Sequence, residues 1–134
     1  MPRSLLLALA GTLALAVPAS AAAVSGTYRG QTNQNRTVHV KVRSGKITNL
    51  SFSVYTRCGI GGSGGGATDA VAIRNVRVKS NGTYVAKSEG DSANGLATYE
   101  LRGRVTRSKV TGSMEQFFRN GCQAFDLRFT AKRR

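Results

Sequence analysis

Apolar and polar positions alternate with a period of two along most of this chain, and the longest such stretch runs from Leu96 to Ala131. Ala97, Tyr99, Leu101, Gly103 and Val105 fall on one face, and Thr98, Glu100, Arg102 and Arg104 on the other. Thr106-Arg107-Ser108-Lys109 turns the chain. Val110, Gly112, Met114 and Phe118 then alternate with Thr111, Ser113, Glu115 and Phe117. After a second turn at Asn120-Gly121, Phe125, Leu127, Phe129 and Ala131 alternate with Asp126, Arg128, Thr130 and Lys132. The pattern predicts three consecutive antiparallel strands with one buried and one wet face.

The earlier chain repeats the pattern in shorter pieces. Gly26-Thr27-Tyr28-Arg29-Gly30 predicts a first strand with Tyr28 inward, followed by a polar loop over Gln31 to Asn35. Thr37 to Arg43 predicts a second, with Val38, Val40 and Val42 inward and Thr37, His39, Lys41 and Arg43 outward. Ser44-Gly45 is a hairpin signal. Leu50, Phe52 and Val54 share the next inward face, which reaches Cys58, while Ser51, Ser53, Tyr55 and Arg57 face out. Ile47 is out of phase with Leu50, which predicts a bulge at Thr48-Asn49. Gly59 to Gly66 holds too little side chain to pack and is expected to be a flexible loop. Val71 with Ile73, and Val76 with Val78, predict two short strands. Asn81-Gly82 is a hairpin signal before a strand at Thr83 to Ser88, with Tyr84 and Ala86 inward. Gly90 to Gly95 reads as an exposed loop.

No helical periodicity follows residue 23. The fold expected is all-β, an antiparallel β-sandwich or barrel of about seven to nine short strands, because such sheets bury one face only by packing or closing on themselves. Residues 24–134 form a single all-β domain in this reading. One detail resists regular alternation: Cys122 shares the parity of outward Arg128, so a bridge there requires a strand end or an irregularity.

Residues 1–23 read as a signal peptide. Arg3 supplies the positive start, Leu5 to Val17 an apolar core, and Ala19 to Ala23 small residues suited to cleavage. The apolar run is too short to span a bilayer. Export changes the meaning of the cysteines, since two cysteines in an oxidising compartment most simply form one disulfide, Cys58–Cys122. It would close a loop of about 65 residues, which the chain-entropy model values at roughly 4 kcal/mol.

Charge narrows the partners. The formal net charge is +14, and +13 once Arg3 is removed with the leader. Such a surface attracts polyanions. The outward faces carry His39, Lys41, Arg43, Arg57, Arg102, Arg104, Arg128 and Lys132, with Tyr55 and Phe117 as outward aromatics. Cations beside exposed rings suit anionic polymers and glycans through charge, cation–π contact and stacking.

Catalytic chemistry finds less support. Gly59-Ile60-Gly61-Gly62-Ser63-Gly64 fits G-x-G-x-x-G, but no helix pattern follows to bind a phosphate. His39 is the only histidine, and no clustered carboxylates or free thiolates stand ready to join it at a metal. No cofactor is implied. A ribonuclease-like site would need His39, Glu100, Arg102 and Arg104 to converge. The six acids, Asp69, Glu89, Asp91, Glu100, Glu115 and Asp126, carry no recognisable glycosidase pairing. An inhibitory loop is usually rigid, which a glycine run is not.

The layout resembles small exported bacterial β-domain proteins with one disulfide and no assigned activity. The resemblance lies in Gly26-Thr27-Tyr28-Arg29-Gly30, Ser44-Gly45-Lys46-Ile47, Leu50-Ser51-Phe52, Cys58 before a loop, and Asn81-Gly82-Thr83-Tyr84. Leu101-Arg102-Gly103-Arg104-Val105, Val110-Thr111-Gly112, Cys122 and Phe129-Thr130-Ala131-Lys132-Arg133 extend it. It implies a β-sandwich outside the membrane and brings no catalytic residues. The expected function is therefore a secreted, basic, non-catalytic module. It would bind an anionic polymer or glycan in the envelope or extracellular space. The alternatives are a protein-interaction module with incidental charge and, third, a ribonuclease-like enzyme.

Overall fold

The structure, a computed structural model, describes residues 24–90 and 95–134. The expected leader and Asp91 to Asn94 of the expected loop lie outside the described residues. Nine strands follow in chain order: β1 (Gly26–Thr32), β2 (Thr37–Arg43), β3 (Lys46–Cys58), β4 (Gly66–Ile73), β5 (Val76–Arg77), β6 (Thr83–Glu89), β7 (Thr98–Val105), β8 (Lys109–Arg119) and β9 (Cys122–Arg133). They form one antiparallel sheet in the order β4-β3-β2-β1-β9-β8-β7-β6, with β5 beside β3. The all-β antiparallel expectation stands. Strands β3, β8 and β9 are longer than the short elements expected, and that length has an architectural use.

β1 and β2 form a hairpin whose tip is Asn33 to Arg36. β3 flanks it on one side and β9 on the other. Both flanking strands run past the tip and pair directly, Arg57 opposite Gln123 and Cys58 opposite Cys122. Strands β3, β2, β1 and β9 thus close into a ring at this end. The Cys58–Cys122 disulfide sits at the closure. The tip is pinned between the flanking strands: Gln34 bonds the backbone of Tyr55 in both directions, and Asn33 bonds Asp126 and Arg128.

The inward faces make one core, including Tyr28, Val38, Val40, Leu50, Val54 and Leu101. The close approach of strands in the β6–β8 region rests on a facing glycine pair, Gly103 and Gly112. The Tyr84 ring lies over them, and its hydroxyl donates to the Thr111 carbonyl at 2.8 Å. A Cβ on either glycine would collide, with Tyr84 and Thr111 in one case and Phe129 in the other. At the disulfide end the barrel mouth is spanned by Arg119 of β8 and Asp69 of β4, 3.3 Å apart, on strands that are not sheet neighbours. Buried Thr56 adds its hydroxyl to Asp69 and to the Ala67 carbonyl.

Local irregularities decide which face each residue meets. The bulge expected near Thr48 is present: Lys41 faces Asn49 and Val42 faces Ile47, so Thr48 is the extra residue. A second irregularity was not anticipated. Register between β7 and β8 shifts at Glu115-Gln116, while β8 and β9 keep one register and lack only the Glu115–Asp126 pair, where Asp126 adopts φ 50°. Beyond it the inward residues are Phe117 and Ala124, where unbroken alternation expects Phe118 and Phe125. Phe117 is 1% exposed, whereas Phe118 is 41% and Phe125 is 58% exposed, which corrects three assignments together. The slip also returns Cys122 to the inward parity and resolves the conflict noted for the disulfide.

Two smaller expectations change. The glycine run is a closed turn: Cys58 and Gly65 share a 2.8 Å backbone bond, Gly64 returns one to Cys58, and a single 3-10 turn spans Ile60–Gly62. Asn81-Gly82 turns the chain as expected, but β5 before it pairs with β3 and not with β6, so no hairpin results. The Asn120-Gly121 hairpin is as expected, both residues having positive φ as a type I′ turn requires.

Candidate functional site

Because alternation sends every second residue to the outer face, the strand order determines which cations become neighbours. β9 is the axis, lying between β1 and β8. Across it runs the row His39–Arg29–Lys132–Lys109, each residue directly opposite the next on β2, β1, β9 and β8. Like charges opposite one another across strands are destabilising, so Arg29, Lys132 and Lys109 form a row that stability alone does not favour. A second such row, Arg43–Lys46–Arg77, crosses β2, β3 and β5.

Further along β9 the outer face carries Thr130 and then Arg128. Thr130 faces Thr111, which faces Arg104 on β7; Arg128 faces Ser113, which faces Arg102. The structure therefore brings Arg102, Arg104, Arg128 and Lys132 onto one outer surface, with His39 at its margin. Lys41 and Arg43 continue along β2 toward the second row. Arg102 is partly spent, because it pairs with Glu100, which also takes Lys87 at 3.1 Å. These hydrogen bonds, from Lys87 first and then Arg102, hold the Glu100 carboxyl below its usual range. Arg104 and Arg128 take no part in the ion pairs found among the described residues.

Past Arg128 the character of the face changes. Asp126, Phe125 and Gln123 are its next outward residues on β9, and Phe118 faces Gln123 from β8. Arg57 faces Gln123 from β3. Tyr55, 42% exposed, lies on the other side of the pinned β1–β2 tip from Phe125. Arg57 and Tyr55 lie two residues apart on the outer face of β3, Phe118 and Phe125 are the exposed rings of β8 and β9, and Phe117 is in the core. The outer track of β9 reads Lys132, Thr130, Arg128, Asp126, Phe125, Gln123: cations at one end, aromatics at the other, and one carboxylate between them.

Sequence reasoning missed Arg29, Lys109, Phe118 and Phe125. Arg29 and Lys109 are outward by simple alternation, but only strand order makes them neighbours of Lys132. A ribonuclease-like constellation is not assembled: His39 on β2 and Glu100 on β7 are four strands apart along the sheet. They line separate hollows, Glu100 one of ≈ 760 Å³ over β6–β8 and His39 one of ≈ 560 Å³ over β2–β4. Among the described residues no group of three or more His, Cys, Asp or Glu is placed to hold a metal ion. No helix among them is long and apolar enough to cross a membrane. Comparison with family models, with curated proteins and with solved structures finds no match for the chain.

Proposed function

We propose that this protein is a non-catalytic binding module for an acidic glycan or related anionic polymer, held along the outer face of β9. The observation that carries this reading is the row Arg29–Lys132–Lys109, three cations directly opposed across adjacent strands. An anionic ligand relieves their mutual repulsion and displaces counterions. Arg128 and Arg104 extend the contact. Phe125 and Phe118 offer rings on which a sugar face packs, which distinguishes a glycan from a structureless polyanion. From Gln123 to Lys132 the track is about 30 Å long at roughly 3.3 Å per residue, room for several sugar units. The protein works outside the cytoplasm in this reading: residues 1–23 direct export, and the disulfide persists in that compartment.

The test is a salt-titrated binding panel of uronic-acid oligosaccharide, sulfated oligosaccharide, neutral oligosaccharide, single-stranded nucleic acid and anionic lipid vesicles. Binding to one acidic glycan that survives near physiological salt and weakens in Arg128→Ala and Lys132→Ala supports the reading. Weak binding to every polyanion, gone by that salt, removes it.

A further inference from the structure

The sheet has two ends that do not meet. β4 pairs only with β3, and β6 only with β7. β5 packs beside β6 at one level, and a groove of ≈ 470 Å³ lies between the two edges, walled by Ala72 to Arg77 on one side and Val85 to Ser88 on the other. Backbone direction along both edges follows from the hydrogen bonds beside them. On β6 the Thr83 carbonyl turns away from β7 and accepts from Lys79 at 2.8 Å. Residues two apart in a strand turn their N–H and C=O the same way, so Val85 and Lys87 also turn theirs into the groove. On β3, Cys58 bonds toward the glycine turn that leads into β4, whereas Tyr55 bonds the opposite way, to Gln34. Val54 and Phe52 therefore bond Asp69 and Val71, which leaves Ala70 and Ala72 of β4 facing outward along the edge. Ala72 of β4 and Val85 and Lys87 of β6 turn backbone donors and acceptors to one gap, and Ala70 continues the β4 edge beyond it.

Unpaired edges are usually blunted by charge, proline or bulges. The outward side chains of β4 are Thr68, Ala70 and Ala72, small and uncharged. The groove is lined by the apolar Ile73, Val76, Ala86 and Tyr99 together with the polar Asn75 and Ser88 and the cations Arg74, Arg77 and Lys87. Lys87 is paired with Glu100, but neither arginine takes part in the ion pairs found among the described residues. We infer that this seam receives an extended peptide as an additional strand, and that the peptide alternates apolar residues, turned to the barrel interior, with acidic residues turned to Arg74 and Arg77. Backbone pairing supplies the binding and alternate side chains the selectivity. The site is separate from the β9 track.

The probe is a blocked nonapeptide alternating valine and glutamate, with amide exchange read residue by residue. The expected result is slowed exchange at Ala70, Ala72, Val85 and Lys87, absent with the same peptide N-methylated at alternate amides. Arg74→Glu with Arg77→Glu is expected to weaken binding about tenfold, the factor that corresponds to about 1.4 kcal/mol. Three results overturn the inference. One is no slowing at these four amides. Another is slowing confined to the outer residues of β8 and β9, which would make the peptide one more polyanion on the basic track and leave the proposed function standing. The third is concentration-dependent protection of the four amides without peptide, which would mean that a second copy fills the seam.

Discussion

The two ends of the β8–β9 hairpin are built from the same strands yet present opposite surfaces. In the Lys109–Met114 and Leu127–Lys132 half, alternation is strict: Val110, Gly112, Met114, Leu127, Phe129 and Ala131 go in, and cations go out. In the half nearer the Asn120-Gly121 turn, aromatics go out. The difference is one irregularity, at Glu115-Gln116 and Phe125-Asp126. With a side-chain period of two, a slip of one residue exchanges the faces of everything beyond it. A ligand track with charge at one end and rings at the other follows from that slip. So does the inward parity that lets Cys122 meet Cys58.

The comparison breaks most severely at the disulfide. Replacing Cys58 and Cys122 together with Ala should cost roughly 4 kcal/mol in denaturant unfolding. Local opening, read by hydrogen exchange, should appear first in Phe118 to Gln123 and last around Val110 and Ala131. Equal loss at both ends would show that closure of the β3–β9 ring is not what holds the aromatic half.

Next in size is the contrast between adjacent phenylalanines. Phe117→Ala should destabilise by about 3–5 kcal/mol, the range for emptying a packed aromatic site. Phe118→Ala should cost under about 1 kcal/mol, as exposed positions usually do. The reverse order would restore regular alternation and remove the aromatic end of the track.

These two residues also mark where the sequence stopped being legible. Strand existence, most boundaries, the inward faces of β1, β2, β6 and β7 and the Thr48 bulge follow from local pattern, and the disulfide follows from the count of two cysteines in a chain read as exported. The Glu115/Asp126 slip leaves no such trace, because Phe117 and Phe118 are equally apolar and either register buries a ring. It is fixed by pairing across strands. The same holds for the site: Arg29 and Lys109 are outward on inspection, but their meeting at Lys132 requires that the first strand pair with the last. Closure of β3 onto β9 past the Asn33–Arg36 tip is likewise a property of relative strand lengths, which the local pattern does not set.

At the basic end the expected effects are smaller. Lys132→Glu removes two like-charge oppositions and introduces attraction to Arg29 and Lys109. It should raise stability by a few tenths of a kcal/mol at low salt, fading at high salt, while weakening polyanion binding. A rise in stability coupled to a loss of binding would identify the row as retained for a ligand.

The smallest effect is the pH dependence at Glu100. Its carboxyl is held below the usual value of 4.5 by Lys87 and Arg102. A depressed carboxyl contributes stability that is present above its unfolded pKa and is lost as pH falls through the lower folded value. Stability should therefore decline below about pH 4.5, and Glu100→Gln should flatten that part of the curve. On the alkaline side burial raises the Tyr28, Tyr84 and Tyr99 hydroxyls. Their neutral forms should hold past pH 10.0, with stability falling as pH rises further and phenolate absorbance appearing late.

The most direct test of the β9 track is the salt dependence of acidic-oligosaccharide binding in two pairs of variants. Arg128→Ala and Lys132→Ala should each weaken binding and shallow the slope of log affinity against log salt by nearly one, as loss of one ionic contact does. Phe118→Ala and Phe125→Ala should weaken binding with the slope unchanged. If the aromatic pair binds like the parent protein, or if both pairs change only the slope, the face attracts counterions and holds no glycan.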